Sequence, residues 1–187
     1  KKDSAVRDAA IQNYVKGIKA ITVAGGWVVR MGDPSMTPLP QIERVIDYAH
    51  TPYKSELMDM YLMSECRFFI GLSSGPDELA KLFQKHEILV NLTEWVTCFP
   101  IYKGDLCILK HMFSRSRNRF LSLREILEEP WLESQTGIFG VGDDYIMVEN
   151  SSEEIRDVIE EFLTHSQDQE FSDLQEEFNH LRRLQIR

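Results

Sequence analysis

The stretch 67–91 constrains the fold more than any other part of the sequence. It predicts a short buried strand over 68–72, a Ser73–Gly75 turn, a helix over 76–83 and a second strand over 88–90. A strand–helix–strand unit of this kind builds a parallel sheet, whose ligands bind at the carboxyl ends of the strands. The turn therefore lies where a ligand is expected.

Strands and helices alternate along the rest of the chain, which predicts an α/β domain with a mainly parallel sheet and helices on both faces. The basic stretch 111–119 is expected to be irregular. The further predicted helices cover 4–24, 55–65, 122–128 and 151–165, and the further predicted strands cover 27–29, 45–48, 106–109 and 145–148.

The C-terminal segment has a different pattern. Phe171, Leu174, Phe178 and Leu181 recur at 3-4-3 spacing among acidic residues, which predicts an amphipathic helix with a narrow apolar seam. Such a helix is expected to lie across a neighbouring domain or a partner protein. The predicted organisation is one domain over 1–165 and this helix over 166–187.

Composition argues against several classes of protein. The net charge of −9 argues against a nucleic-acid partner and against docking on anionic lipid by charge alone. The sequence contains neither a transmembrane apolar run nor a signal-peptide core. Cys66, Cys98 and Cys107 lack paired metal spacing, so reduced thiols in a cytoplasmic protein are expected.

Arg30 is the most interesting single candidate. It follows the predicted strand 27–29 and precedes Gly32, where the backbone could approach a ligand closely. An arginine at the carboxyl end of a strand can bind a phosphate bidentately. The structural alternative is an ion pair with Asp33 or Asp47. An arginine in this position forms such a pair about as often as it binds a phosphate.

The Ser73–Gly75 turn also has two interpretations. Free N–H groups at a helix N-terminus can hold a phosphate. The alternative is a plain N-cap, favoured by Asp77 and Glu78, whose charges already complement the positive helix end.

Other polar residues give weaker signals. The five histidines are scattered without ligand spacing, so no metal site is predicted. Asp47, His50, Asp59 and Glu94 are the acid–base candidates, although a helical carboxylate such as Asp59 is more often a cap or an ion-pair partner.

Several motifs in order carry a family resemblance: VVRMGD, VIDYA, MDMYLMSECR, FFIGLSSG and EILVN, followed by LSLREIL and ENSSEEI. Together they resemble a bacterial family of GT-B glycosyltransferases for surface carbohydrates, over most of residues 4–165. The arrangement is also similar to the donor-binding half of fucosyltransferases. There, an Arg-x-Gly-Asp-like motif and a later Ser-Ser turn contact the diphosphate of a sugar nucleotide. Val28 departs from that pattern, since fucosyltransferases often carry histidine at this position.

The resemblance implies a Rossmann-like, C-terminal-type GT-B domain that binds a nucleotide-diphosphate sugar as donor substrate, with no metal or other cofactor. Arg30 would neutralise the leaving diphosphate beside Gly32, and the Ser73–Gly75 turn would hold its oxygen atoms. Asp47 or Asn91 would contact the base or ribose.

The resemblance also implies partners. The acceptor would be a surface glycan or a lipid-linked sugar, and the C-terminal helix would pack on an N-terminal acceptor domain. From the residues alone, a non-catalytic interaction module stays open as the alternative. A serine hydrolase is remote, because the flanks of Ser73 and Ser74 do not form a GxSxG elbow.

Overall fold

The computed structural model describes residues 9–93, 102–128 and 144–164, together with residues 176, 177 and 180. Two short 3-10 helices, Ile11–Tyr14 and Tyr48–His50, accompany the α-helices and strands. The α-helices are α1 (Val15–Val23), α2 (Glu56–Glu65), α3 (Gly75–Leu82), α4 (Leu123–Glu128) and α5 (Ser152–Thr164). The strands are β1 (Val28–Val29), β2 (Val45–Ile46), β3 (Phe68–Gly71), β4 (His86–Leu92), β5 (Leu106–Leu109), β6 (His111–Ser114), β7 (Arg119–Phe120) and β8 (Tyr145–Val148).

The first five strands pair in parallel, as the alternating pattern predicts. β1 pairs with β2, and β3, β4 and β5 form a second parallel sheet in that order. Helix α3 is the crossover between β3 and β4, so the predicted strand–helix–strand unit is confirmed. The protein therefore has a mixed α/β fold.

The central strand β4 is covered by helices on both faces. Ile88 and Val90 pack in one buried cluster with Ile21 of α1 and Ile155 of α5. Glu87 lies on the opposite face by strand alternation and interacts with α3. Partly buried side chains of β1, β3 and β5 border the same cluster, namely Val28, Phe68, Ile70, Leu106 and Ile108.

The contact between α1 and α5 depends on a small residue. A Cβ atom on Gly17 would lie 2.4 Å from Cδ1 of Ile159 and 3.6 Å from Cγ2 of Ile155. Glycine therefore lets the first and last of these helices approach closely over the sheet.

The predicted first helix begins later than expected within the described residues. Ala10 is extended, and its N–H donates to Oε2 of Glu149 at 2.9 Å. The amide of Asn13 donates to the same carboxylate oxygen at 3.0 Å. These tertiary bonds explain why helical structure begins at Ile11.

The expectation that 111–119 is irregular is wrong, because this stretch contains β6 and the turn into β7. β6 pairs with β7 and β8 in an antiparallel sheet. Its alternation buries Met112 and Ser114. Asp144 stabilises the turn by accepting hydrogen bonds from the Ser114 hydroxyl and from both the N–H and the hydroxyl of Ser116.

Capping explains several element boundaries that the sequence predicts. Ser55 accepts the N–H of Met58 at the start of α2. Ser151 and Glu154 form the predicted capping box before α5, with the N–H of Ser151 donating to Glu154 at 2.8 Å. At the end of α1, Gly25 is left-handed with φ +91°.

The predicted C-terminal seam lies outside the described residues. Two described residues of that segment, Glu176 and Glu177, are helical. Glu177 accepts a hydrogen bond from the guanidinium of Arg124 in α4 at 3.2 Å. The predicted docking of this helix on a neighbouring domain stays a prediction.

Replacing Gln84 with glycine is expected to stabilise the protein by about 1 kcal/mol. Gln84 follows the C-cap residue of α3 and is left-handed with φ +56°, and its N–H donates to Lys81 O at 3.0 Å. Glycine adopts this conformation without a Cβ penalty. Urea unfolding measures the difference. Gln84→Ala is the control, because it keeps the penalty, and an equal gain from both variants would contradict the explanation.

Candidate functional site

Arg30 lies at the carboxyl end of β1, as predicted, and its backbone continues the parallel pairing. Its N–H donates to Ile46 O at 2.9 Å, and its carbonyl accepts the N–H of Ala49 at 3.3 Å. The side chain is only 8% exposed. A guanidinium held this firmly is pre-organised in a single position.

Asp47 is the partner of Arg30, so the structural alternative of an ion pair is confirmed. Nη1 of Arg30 donates to Oδ1 of Asp47 at 2.9 Å. The other carboxylate oxygen, Oδ2, accepts the N–H of Leu39 at 2.9 Å and lies 3.0 Å from Nδ1 of His50. Burial opposes ionisation of Asp47, but the Leu39 and Arg30 hydrogen bonds outweigh it and lower the pKa of this carboxyl.

His50 completes the group around Asp47. Its Nε2 lies 3.0 Å from the carbonyl oxygen of Met36, while its Nδ1 faces the Asp47 carboxylate. Since both oxygen atoms only accept hydrogen bonds, both ring nitrogens face acceptors. The ring is thereby held in a fixed orientation beside Arg30, whose Nη1 lies 3.5 Å from Nδ1.

Gly32 brings backbone close to this group. It has φ +145°, a conformation that favours glycine. A Cβ atom there would lie 2.8 Å from Sδ of Met36 and 3.9 Å from Cζ of Arg30. Gly32 thus packs closely against Met36, while the predicted approach of its backbone to a ligand stays a prediction.

An open cleft of about 600 Å³ adjoins the arginine network. It is lined by residues 39–43, Val45 and Asp47. Asp47 thus belongs both to the cleft wall and to the ion pair with Arg30. A ligand in this cleft would lie beside the charged network.

The Ser73–Gly75 turn follows β3 and begins α3, as predicted. The N–H of Ser74 donates to Oδ1 of Asp77 at 3.0 Å, and its hydroxyl donates to Leu72 O at 3.1 Å. Oδ2 of Asp77 accepts a hydrogen bond from Lys81 at 3.0 Å. These bonds favour the N-cap interpretation of the turn. A Cβ on Gly75 would meet open space, so this part of the turn is accessible.

The structure brings together some of the predicted site residues. Arg30, Gly32, Asp47 and His50 form one group. The described side-chain bonds of Arg30 run to Asp47 and His50, whereas Ser74 bonds to Leu72 and Asp77. Convergence of this group and the turn on one ligand stays a prediction.

Asn91 serves the fold itself. It is buried and left-handed at φ +56°, where the register between β4 and β5 shifts. Its N–H donates to Oδ1 of Asn150, and the N–H of Asn150 donates to its Oδ1, each at 2.7 Å. Its Nδ2 donates to the Tyr14 hydroxyl at 3.4 Å. With its amide engaged in this way, Asn91 is not among the ligand contacts that we propose.

The remaining acid–base candidates give no second site. Asp59 pairs with Lys54, as the ion-pair interpretation expects. Glu94 lies outside the described residues. Sequence reasoning missed Leu39 and Met36, which hold Asp47 and His50 through backbone groups. No side-chain signal reveals a contact of that kind.

The chain matches no protein-family model, no curated protein and no solved structure. Within the described ranges, no helix is both long and apolar enough to cross a membrane. In the same ranges, histidine, cysteine, aspartate and glutamate side chains form no group of three or more that could hold a metal ion.

Replacing Asp47 with asparagine is expected to destabilise the protein by roughly 2–3 kcal/mol, because Arg30 loses its counter-charge in a buried place. The pKa of Asp47 is lower in the folded state than its usual value of 3.8. The ionised carboxylate therefore stabilises the folded protein above about pH 3.8, and this stabilisation is lost as the pH falls below that value. The difference in the free energy of unfolding between wild type and Asp47→Asn, measured with urea, should therefore become smaller below about pH 4.

The control for Asp47 is Asp157→Asn, which removes an exposed partner of Arg156 and is expected to change stability by less than about 0.5 kcal/mol. Equal losses from both variants would contradict a special role for the Arg30 pair.

Asn91→Gly is expected to cost about 2 kcal/mol, since it keeps the left-handed backbone accessible but leaves the buried N–H of Asn150 without its acceptor. Asn118→Gly is the matched control, because Asn118 is also left-handed at φ +48° but exposed. Thermal unfolding compares the two. If Asn118→Gly lowers the stability as much as Asn91→Gly does, the buried amide of Asn91 contributes little.

Proposed function

We propose that this chain is the donor-binding half of a metal-independent GT-B glycosyltransferase. It would bind a nucleotide-diphosphate sugar and transfer the sugar to a surface glycan or related acceptor. The proposal rests on the family resemblance and on the polar group at the end of β1. The Rossmann-like assignment of the domain belongs to the same proposal, supported by the parallel β3-β4-β5 order.

The observation that carries the proposal is the position of the Arg30 guanidinium. Within the described residues, Nη1 donates to Asp47 and lies 3.5 Å from Nδ1 of His50. Nη2 and Nε are thereby left for a further acceptor. A diphosphate offers several anionic oxygens for such a fork, and an arginine binds them more firmly than a lysine.

The surroundings of Arg30 suit a nucleotide. Gly32 presents backbone beside the guanidinium, and an open cleft lies next to Asp47. Asp47 is engaged with Arg30 and Leu39, which favours a positioning role over the predicted contact with base or ribose.

In the proposed reaction, Arg30 stabilises the negative charge that develops on the leaving diphosphate. Positioned cationic groups are effective there because they need no reorganisation when the charge appears. Ser73, Ser74 and Gly75 would supply further hydrogen bonds from the turn before α3. The acceptor and its activating base are assigned to a separate N-terminal domain.

An interaction module is the alternative, and one observation favours it. Helix α2 exposes large apolar side chains on neighbouring turns: Leu57 is 79% exposed and Tyr61 is 58% exposed. Tyr53, just before the helix, is also exposed. An apolar surface of this kind is typical of protein contacts.

Calorimetry with GDP-, UDP- and CMP-sugars tests the proposal. We expect binding of at least one diphosphate sugar at millimolar concentration. Arg30→Lys should weaken that binding roughly 10- to 100-fold, because lysine keeps the charge but loses the fork. The CMP-sugar, which has one phosphate, should bind more weakly than the diphosphate donors.

Arg67→Gln is the control, since Arg67 is exposed and precedes β3. It should leave donor affinity unchanged. Absence of binding for every nucleotide sugar, or equal affinity of wild type and Arg30→Lys, would reject the phosphate role and favour the interaction module. Circular dichroism of each variant separates lost binding from lost folding.

A further inference from the structure

Glu87 is a buried carboxyl group that the proposed function does not use. It lies near the start of β4 and is 0% exposed. Both of its carboxyl oxygens lack a hydrogen-bond partner among the described residues. Buried polar groups in folded proteins are almost always hydrogen-bonded, so this exception requires a physical explanation.

The charges around Glu87 are mostly negative. Helix α3 contributes Asp77, Glu78 and Lys81, and Asp105 is a further charged neighbour just before β5. The β3 residue opposite Glu87 in register is the uncharged Phe69. An ionised Glu87 would therefore join Asp77 and Glu78, which share Lys81, and the further carboxylate of Asp105.

That lysine is already engaged. Nζ of Lys81 donates to Oδ2 of Asp77 and to Oε1 of Glu78, both at 3.0 Å. Asp105 accepts the N–H of Glu87 at 3.0 Å and lies 2.8 Å from Nδ1 of His86. The neighbours of Glu87 thus satisfy one another and leave its carboxyl group without a counter-charge of its own.

Burial is the largest influence on Glu87, and repulsion from Asp77 and Asp105 adds to it. Together they outweigh the attraction of Lys81 and raise the pKa of Glu87 from 4.5 to about 7. The geometry and the electrostatics agree, because a protonated carboxyl is the form that a buried site without a counter-charge favours.

We propose that Glu87 is an internal proton-binding site that couples the protonation of β4 to the turn before α3. Lys81 connects the two places, since it binds Asp77, and Asp77 holds the N–H of Ser74 through its other oxygen. Loss of the Glu87 proton draws Lys81 away from Asp77 and loosens the turn.

Ionisation of Glu87 is linked to the stability of the fold. The folded state holds the Glu87 proton more strongly than the unfolded chain does, so ionisation of Glu87 opposes folding. The resulting destabilisation of the folded state is absent below about pH 4.5 and grows as the pH rises to about 7. Across that window, Glu87 should raise the unfolding equilibrium constant on the order of 100-fold.

Carbon-13 NMR of the glutamate carboxyl groups in the intact chain measures this directly. We expect one buried carboxyl, assigned to Glu87, to titrate near neutral pH. The amide resonance of Ser74 should shift with the same midpoint. A Glu87 midpoint near pH 4.5, or a Ser74 amide that does not follow it, would overturn the proposal.

Glu87→Gln provides a second measurement by urea unfolding between pH 5 and pH 8. As the pH rises, the unfolding equilibrium constant of wild type should increase more than that of Glu87→Gln. The increase should be larger in wild type by a factor on the order of 100. Glu56→Gln, at an exposed glutamate of α2, should parallel wild type. Parallel curves for wild type and Glu87→Gln would also overturn the proposal. If Glu87→Gln does not fold, the wild-type NMR titration decides alone.

Discussion

The reciprocal hydrogen bonds between Asn91 and Asn150 are the constraint on which much of the fold depends. They join the end of the central strand β4 to the residues that precede α5. Asn150 also donates to Leu109 O at 2.8 Å, so the end of β5 is held by the same amide. Helix α5 is thereby placed over the sheet, where it meets α1 across Gly17. A strand irregularity, which would otherwise leave buried polar groups unpaired, serves here as the attachment point of a helix.

The Arg30–Asp47 ion pair is structural, and the function that we propose for Arg30 does not exclude that role. A buried guanidinium needs a counter-charge in the absence of a ligand. A ligand anion then competes with Asp47 for the positive charge, which limits affinity. The fixed orientation of Arg30 offsets part of that cost, because the side chain loses little freedom on binding.

The sequence predicts what depends on local chemistry. Capping residues locate the starts of α2 and α5, and apolar runs locate β3 and β4. It does not predict contacts between distant segments. Asn150 lies 59 residues from Asn91, and nothing near Asn91 signals the pairing. The sequence fails to predict the extended backbone of Ala10 for the same reason, because the distant Glu149 holds it.

The candidate site follows the same division. The strand-end position of Arg30 and the alternative partner Asp47 are evident from the sequence, because both follow short apolar runs. The contributions of Leu39 and Met36 are not, since they act through backbone groups in a loop without a pattern. Glu87 is also hidden, because it precedes the apolar run 88–90, where a charged residue normally marks an exposed strand end.

The carboxyl groups of Asp47, which is half-buried, and of Glu87, which is buried, act on stability in opposite directions. Asp47 has a lowered pKa and stabilises the folded state only when ionised, so its contribution disappears in acid. Glu87 has a raised pKa and opposes folding when ionised, so its effect appears as the pH approaches 7. The two groups together favour the folded state most near about pH 4.5, where the contribution of Asp47 is present and the destabilising effect of Glu87 is only beginning. The difference follows from geometry: Asp47 accepts hydrogen bonds from a guanidinium and a backbone N–H, whereas the nearby Lys81 already binds two other acids and leaves Glu87 without a hydrogen bond among the described residues.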